Sequence, residues 1–579
     1  MAFGRPKKLK AKWEKFYSKE EIEFEVPNIS IYEQVMQTAK TYPNYKAYTY
    51  FGTKDTFRGF HKEILRCAKA FNALGVRKGD IVTICMPNTP EAIIAFYALN
   101  RLGAISNMIH PLSSEEEIKN YLQEAKSKYM VMADLCYEKV KNIKDETNLK
   151  KIIVVSPKDS MPMLLKVGYT LTKQRKYKRP KYNKTYISWL KFLTYSLKRE
   201  TLPEIDFGKD DAAVILHSGG TTGKPKGIIL SNGSFVALTQ QVKYKFKRLK
   251  PGDSCLAIMP IFHGFGLAVG IHTFYALGMS TSIFPQFDAK TFDKLLDKYK
   301  PNLMIGVPTL YEALSNNKNV KNLDLSNLKY VICGGDSLNY NLEQKITKYL
   351  EDHGCTAGIQ QGYGMTEALA AVASGSKEVN KIGSIGVPFP GNYIQIVDPA
   401  TKKEVKPGES GEICICGPTV MMGYLDNEKE TNEMLQIHKD GHVWLHTGDL
   451  GHMDEEGFIF YEQRLKRMIV SSGYNVYPQY VEEAIEKHPA VLQCTVVGVP
   501  HPYKMEVPKA FIVLKEGYHA TLMTKISIKD HCKKHVAHYA VPNKFVYRKS
   551  LPKTLIGKID FKALQQDEDG DDYDEEIDE

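Results

Sequence analysis

The sequence lacks any cysteine framework. Its ten cysteines form no C-x-x-C pair and no zinc-ligand spacing, and Cys414 and Cys416 merely alternate along an apolar stretch. That excludes a disulfide scaffold or zinc module and fits a reducing, cytoplasmic setting. Long apolar runs are missing as well. None reaches the length that spans a bilayer, and the opening residues Met-Ala-Phe-Gly-Arg-Pro-Lys-Lys hold no signal core, so a soluble or peripheral protein is expected. No zinc finger, RNP-like segment or basic heptad helix is present, which argues against nucleic acid as a partner. Basic side chains are absent from residues 567–579, where ten acidic ones stand; without them the net charge of +11 becomes +21. The body is therefore strongly basic and suited to anionic ligands and lipid headgroups. The tail, 565–579, reads as a disordered, solubilising end.

A chain of 579 residues, 43% of them apolar, exceeds one core, so at least two domains are expected. From about 205 to 365, short apolar runs (212–216, 256–262, 303–307, 329–333) alternate with helical patterns such as Thr-Phe-Asp-Lys-Leu-Leu-Asp-Lys-Tyr, which implies parallel sheet covered by helices. An earlier unit of the same kind spans about 45–155, with strands predicted at Ile81–Met86 and Tyr129–Ala133 and a helix at Pro90–Leu102. After Arg464 the texture becomes α+β, with helices predicted at Pro478–His488 and Ile526–Cys532 and strands at Val491–Val499 and Ala510–Leu514. The expected organisation is a large domain over 1–465, a smaller one over 466–564, and the tail.

Between about 158 and 200 lies a segment that the core pattern does not need. Its centre, 173–184, carries seven Lys or Arg and no acid, with Tyr177 and Tyr182 interleaved and Trp189 and Phe192 following. Two readings stay open: a solvated, partly disordered insertion, or a patch that meets an anionic membrane, where basic side chains find headgroups and aromatics favour the interface.

Residues 218–227, Ser-Gly-Gly-Thr-Thr-Gly-Lys-Pro-Lys-Gly, follow directly on the run 212–216. Glycine lets backbone N–H groups turn toward one anion, Thr221 and Thr222 add hydroxyl donors, and Lys224 and Lys226 add positive charge. The loop reads as a polyphosphate cradle or, taken alone, as a flexible surface turn. A P-loop fails twice, because that motif needs glycine five residues before Gly223 and Ser or Thr after Lys224, where Ser218 and Pro225 stand.

Further on come Pro-Ile-Phe-His at 260–263, Gln-Gly-Tyr-Gly-Met-Thr-Glu at 361–367 and Gly-Glu-Ile-Cys-Ile-Cys-Gly-Pro at 411–418. They are followed by His-Thr-Gly-Asp at 446–449, Arg-Leu-Lys-Arg at 464–467 and Leu-Pro-Lys-Thr-Leu-Ile-Gly-Lys-Ile at 551–559. In this order the segments resemble the signature of the adenylate-forming superfamily, which includes acyl-CoA synthetases, coumarate-CoA ligases, firefly luciferase and peptide-synthetase adenylation domains. The resemblance covers about 30–564. It implies a large α/β domain of layered sheets with a small barrel, a mobile α+β C-terminal domain, and ATP, Mg²⁺ and CoA as reaction partners.

Carried over residue by residue, the resemblance implies that Thr221, Thr222, Gly223 and Lys224 cover the β- and γ-phosphates. Gly334, Gly335 and Asp336 line the adenine and the acyl pocket, and Tyr363, between Gly362 and Gly364, stacks on adenine. Thr366 donates to the α-phosphate and Glu367 holds Mg²⁺. Asp449 accepts both ribose hydroxyls, reinforced by Arg464. Lys558 bridges the ribose oxygen, α-phosphate and carboxylate, and His263 positions the substrate carboxylate. Lys466 is the hinge about which the small domain rotates between half-reactions, and Ser471, Ser472 and Gly473 line the pantetheine path.

Two departures stand out: Ser218-Gly219-Gly220 replaces the usual Thr-Ser-Gly, and Arg467 follows Lys466 where an acid is common, so salt bridges near the hinge are expected to differ. Amino-acid-activating relatives place an Asp shortly before their core motif, whereas Ile-Phe-His-Gly-Phe-Gly-Leu stands here. Gly264, Gly266, Met304, Gly306, Gly334 and Ala370 suggest an open apolar channel for an aliphatic acid. The expected activity is a fatty acid-CoA ligase for medium or long chains. Loading of a carrier protein, an aryl acid substrate and a silent nucleotide or lipid binder are the alternatives.

Overall fold

Thr89, followed by Pro90 at the first helical position, starts a helix over Pro90–Arg101 that is buried from Pro90 through Asn100, the signature of an element enclosed on every side. Around it stand the strands foreseen at 81 and 129, observed at Ile81–Cys85 and Tyr129–Ala133. In this computed structural model the described residues are 11–172, 174, 177–178, 180–198, 201–217, 226–317, 323–338, 340–467, 469–471, 474–501, 505–553 and 559–567. Contacts divide the chain into two units. One comprises Met1–Ser337, Lys345–Ile394 and Ile415–His446; the other comprises Leu338–Gln344, Gln395–Cys414 and Thr447–Glu579.

Among the described residues, the first unit holds two large mixed sheets. One runs, in spatial order, Gly423–Tyr424, Gly227–Ser231, Ala212–His217, Ile105–Ile109, Ile81–Cys85, Tyr129–Ala133, Lys151–Val155 and Tyr186–Ser188. The other runs Val387–Pro388, Ala373–Ser374, Gln360–Tyr363, Tyr330–Cys333, Leu303–Gly306, Ser254–Ala257, Ser280–Ile283, Lys46–Tyr50 and Thr53–Thr56. Their inner strands pair in parallel, as the alternation of apolar runs and helical patterns requires. One expectation shifts: the run 256–262 is a strand only at Ser254–Ala257. Beyond Ala257 the side chain of Asn88 takes over the backbone, donating to Ala257 and Met259 O (both 2.9 Å) and accepting from Ile261 N (2.7 Å), while Pro260 has no N–H for a ladder.

The segment 158–200 is more integral than expected. Tyr186–Ser188 is an edge strand paired in parallel with Lys151–Val155, and Trp189 and Phe192 are buried, with Phe192 packed on Phe71 at 4.7 Å. These two aromatics therefore belong to the core and not to a membrane-facing patch. Ser160 of the same segment donates to the Glu91 carboxylate at 2.5 Å. Burial outweighs this hydrogen bond and pushes the Glu91 carboxyl up to about 7 from an ordinary 4.5. A raised carboxyl pKa means that the folded chain binds the proton more tightly than the unfolded one. The associated stability is complete below pH 4.5 and is lost as pH rises through 7. Glu91→Gln is accordingly expected to raise resistance to urea above pH 7 by up to about 3 kcal/mol, a gain that shrinks to nothing below pH 4.5. Urea unfolding across this range checks it, and a pH-independent difference would refute it.

In the second unit, Val491–His501 and Met505–Leu514 form a long antiparallel pair, joined by Ile469–Ser471, Tyr474–Val476 and a parallel strand at Lys544–Tyr547. Helices Pro478–Glu486 and Leu522–His535 cover this sheet through Val481, Ile485, Ile528 and Cys532. The strands and the second helix extend past their predicted ends because each is stabilised by neighbours remote in sequence. At the C-terminus, Asp567 is tied down: its carboxylate meets Arg548 Nη2 at 2.9 Å and its carbonyl accepts from Lys509 Nζ at 3.0 Å. Gln565 and Gln566, assigned to the disordered tail, instead close the helix Phe561–Gln566, with Gln565 Nε2 donating to Gly498 O at 3.3 Å, and 568–579 lie outside the described residues.

Candidate active site

Parallel strands deliver their C-terminal ends to one edge of a sheet, and an open α/β fold places ligands there. In the first unit three adjacent strands do so. Tyr330–Cys333 runs into Gly334, Gln360–Tyr363 into Gly364, and Leu303–Gly306 into Val307, with Cys333 in register with both Gly306 and Gln361. The strand ends approach tightly. A Cβ on Gly334 would lie 3.1 Å from Gly362 O, and Gly335 adopts φ +81, a left-handed conformation that a glycine takes without strain. Asp336 is exposed and accepts from Ser337 N at 2.9 Å. Tyr363 is buried at the end of its strand.

The next turn is held in an unusual shape. Leu369 and Ala370 have φ of 50° and 72° although neither is glycine, and Ala370 N donates to Met365 O at 2.8 Å. A Cβ on Gly364 would fall 2.1 Å from Ala370 O, so the turn folds back onto its own start. Thr366 and Glu367 sit on the short 3₁₀ turn Thr366–Ala368 in between. Backbone strain of this kind is retained where the surroundings over-determine it, and here it fixes Glu367, whose backbone carbonyl accepts from Met421 N at 2.8 Å.

Tyr424 carries the connection to the glycine-rich loop. Its hydroxyl donates to Glu367 Oε1 at 3.0 Å, and its strand pairs with Gly227–Ser231, Tyr424 opposite Ile228. That strand in turn pairs with Ala212–His217, His217 opposite Gly227, so the two close the base of the segment 218–225. Thr221, Thr222, Gly223 and Lys224 themselves lie outside the described residues. Lys226 is described, and it does not offer a free charge to the loop: it pairs with Glu430 and lies 5.1 Å above the Tyr424 ring. From the strand end at His217 a buried polar chain runs from His217 Nε2 to Asn107 Oδ1 (2.7 Å), then from Asn107 Nδ2 to Thr83 Oγ1 (3.0 Å) and on to Ser127 Oγ (2.7 Å). Burial pushes the His217 imidazole down to about 4, which keeps it neutral at physiological pH.

His263 stands on the turn that Asn88 pins, and its carbonyl accepts from Leu267 N at 2.8 Å where a helix begins. This turn belongs to the same edge: a Cβ on Gly264 would lie 3.1 Å from Ala370 Cβ, and one on Gly334 would lie 3.9 Å from Phe265 Cζ. Of the small residues expected around a channel, Gly266 and Gly306 serve close packing. A Cβ on Gly266 would meet Pro260 O at 2.1 Å, and one on Gly306 would meet Leu310 Cδ2 at 2.4 Å. Asn88, Tyr424 and His217 were not foreseen, since each acts through a partner more than fifty residues away and none lies in a signature segment.

The second unit holds Asp449 and Arg464 opposite one another on antiparallel strands, with Arg464 Nε 2.9 Å from Asp449 Oδ1. Asp449 is 1% exposed, its N–H donates to Thr447 Oγ1 at 3.0 Å, and that hydroxyl donates to Ile413 O at 2.6 Å. Gly448 N donates to Glu412 Oε1 at 3.1 Å. A buried carboxylate on an anchored backbone, with a guanidinium on one oxygen, is built to accept further donors in a set geometry. Lys466 falls on the turn Leu465–Arg467, and its side chain lies outside the described residues, as do Ser472, Gly473 and Lys558. Arg467 has found a partner of its own: it meets Glu482 at 2.6 Å, donates to Val496 O and stacks 4.0 Å from the Phe561 ring.

Two family models match the chain. The family described as AMP-binding enzyme matches residues 35–425, and the AMP-binding enzyme C-terminal domain matches 480–558. The chain is 34% identical over 553 residues to a long-chain-fatty-acid–CoA ligase of Bacillus subtilis, covering 94% of this chain and 96% of the relative. It is 31% identical to the enzyme of that name in Salmonella typhimurium, with 93% and 94% covered. The ATP-bound crystal structure of MatB from Rhodopseudomonas palustris shares the fold, with a TM-score of 0.80 at 23% identity over 93% of this chain and 99% of that one.

Proposed function

Because the chain belongs to the AMP-binding enzyme family, we propose that it activates a fatty acid of medium or long chain with ATP and transfers the acyl group to CoA. The observation that carries the reading is the Tyr424 bridge, which places the carboxylate of Glu367 beside the strands that close the 218–225 loop. A carboxylate oxygen is a poor leaving group. Attack of the acid on the α-phosphate of ATP replaces it with AMP and releases pyrophosphate, after which the CoA thiolate displaces AMP to form the thioester. The protein contributes mainly position and charge. Thr221, Thr222, Gly223 and Lys224 hold the phosphates, Thr366 donates to the α-phosphate, Tyr363 stacks on adenine beside Gly334, Gly335 and Asp336, and Asp449 with Arg464 receives the ribose. His263 orients the acid and Lys558 meets the developing charge. Glu367 is fixed by Tyr424 through one oxygen, and its type and placement suit Mg²⁺, which takes one or two carboxylates and otherwise phosphate and water oxygens. Bound there, the ion would neutralise phosphate charge.

The domain boundary in this reading lies at 465/466, with Lys466 as hinge and Ser472 and Gly473 on the thiol path. The 34% identical long-chain-fatty-acid–CoA ligase of Bacillus subtilis, matched over nearly its whole length, supports the acid class and CoA as acceptor. Among the described residues no helix is long and apolar enough to cross a membrane, and a cytoplasmic location is part of the proposal. Acid-dependent pyrophosphate release across a chain-length series, with and without CoA, tests it. Release with octanoate to palmitate, accelerated by CoA, is expected. Turnover confined to benzoate or coumarate, or transfer only to a holo carrier protein, would replace the substrate or the acceptor, and no release with any acid would refute the ligase.

A further inference from the structure

The helix Met163–Leu171, of sequence Met-Leu-Leu-Lys-Val-Gly-Tyr-Thr-Leu, is built inside out. A water-facing helix turns its apolar stripe to the core, yet here no residue is buried. Leu164 is 88% exposed and Met163 76%, and Leu165, Val167 and Leu171 are exposed as well. Met163, Leu164, Val167 and Leu171 recur at three- and four-residue steps and so form one stripe. The polar side is the one tied down. Lys158 Nζ donates to Thr170 Oγ1 at 3.2 Å and to Gln174 Oε1 at 2.8 Å, and Tyr169 and Thr170 are half-buried. Anchored by these bonds, the helix presents its leucines outward.

We propose that this helix is an interfacial anchor whose Leu164, Val167 and Leu171 enter the acyl boundary of an anionic lipid bilayer. Charge selects that occupant. The sequence that follows the helix directly, 173–184, carries seven basic residues and no acid, and the described Lys178, Lys181 and Lys184 flank the exposed rings of Tyr177 and Tyr182. An apolar stripe followed by basic and aromatic side chains matches the order of acyl chains, interface and anionic headgroups at a membrane surface. At nine residues the helix is far too short to span, so it lies in the plane of the interface. Lys178 also meets Glu138 at 2.8 Å, a pair exposed enough that headgroup phosphates compete with it.

Co-sedimentation with lipid vesicles tests this independently of the catalytic reading. The full-length protein is expected to pellet with phosphatidylcholine vesicles that contain phosphatidylglycerol, to do so weakly with phosphatidylcholine alone, and to be released by salt. The exposed-site variant L164S/V167S/L171S is expected to lose about tenfold in partitioning, and K178Q/K181Q/K184Q to lose the preference for anionic lipid. Circular dichroism of both variants should match the parent, and their turnover of water-soluble octanoate should be unchanged. Parent protein that stays in the supernatant, or binding that the serine variant leaves intact, overturns the proposal. So does a self-associated species in sedimentation velocity that the serine variant abolishes without any lipid binding, since a second copy would then cover the stripe.

Discussion

Lys558→Ala is expected to lower acid-dependent pyrophosphate release by about 10²–10³-fold, the usual cost of removing one donor from developing transition-state charge. The same variant should transfer a supplied acyl-adenylate to CoA at close to the parental rate. The reasoning starts from the residues on either side. Lys553 and Ile559 pair across the base of 554–558, Asp560 N donates to Pro552 O at 2.9 Å, and the Asp560 side chain caps the helix Phe561–Gln566 that follows. These flanks are closed and capped by residues other than position 558, so alanine there leaves the support intact. A lysine serving only as a solvated surface charge would change neither half-reaction, whereas one needed for folding would lower both. Single-turnover assays of each half-reaction, started from ATP plus acid or from synthetic acyl-AMP plus CoA, distinguish the three. Equal loss in both would sink the assigned role.

What sequence could show of this protein was local. The strands at Ile81–Cys85 and Tyr129–Ala133 were legible to within a residue because a short apolar run after a turn is decided by its own composition. The signature 361–367 located Tyr363, Thr366 and Glu367, and the structure puts them on one strand end and the turn after it. What the sequence could not show was who supports them. Tyr424 reaches Glu367 from 57 residues away, and Asn88 pins the His263 turn from more than 160 away. Pairings of that kind leave no periodic trace. Composition misled in the segment 158–200 for a related reason. Its excess of lysine suggested a solvated insertion, but Tyr186–Ser188 completes a sheet edge whose partner strand, Lys151–Val155, lies before the basic stretch. The helix Met163–Leu171 went unremarked because an apolar pattern alone cannot say which way a stripe will face.

Asp449→Ala is expected to raise the KM for ATP by about 10²-fold or more while the protein remains folded, because in the proposed role the carboxylate would accept two ribose hydroxyls at roughly 1.5–3 kcal/mol each. The fold should tolerate the change. Arg464, the partner left behind, is half-exposed at the side chain, so water can solvate its guanidinium once the carboxylate is gone. The backbone around position 449 keeps its own bonds, from Asp449 N to Thr447 Oγ1 and from Thr447 Oγ1 to Ile413 O. A stability defect and a binding defect are thus separable. The nucleotide itself supplies the decisive comparison. The parent enzyme should discriminate against 2′,3′-dideoxy-ATP about as strongly as the variant loses ATP, and the variant should not discriminate between the two nucleotides at all. A variant that still prefers ATP over its dideoxy analogue by the parental factor would show that the ribose is held elsewhere, and Asp449 would then be a structural partner of Arg464 alone.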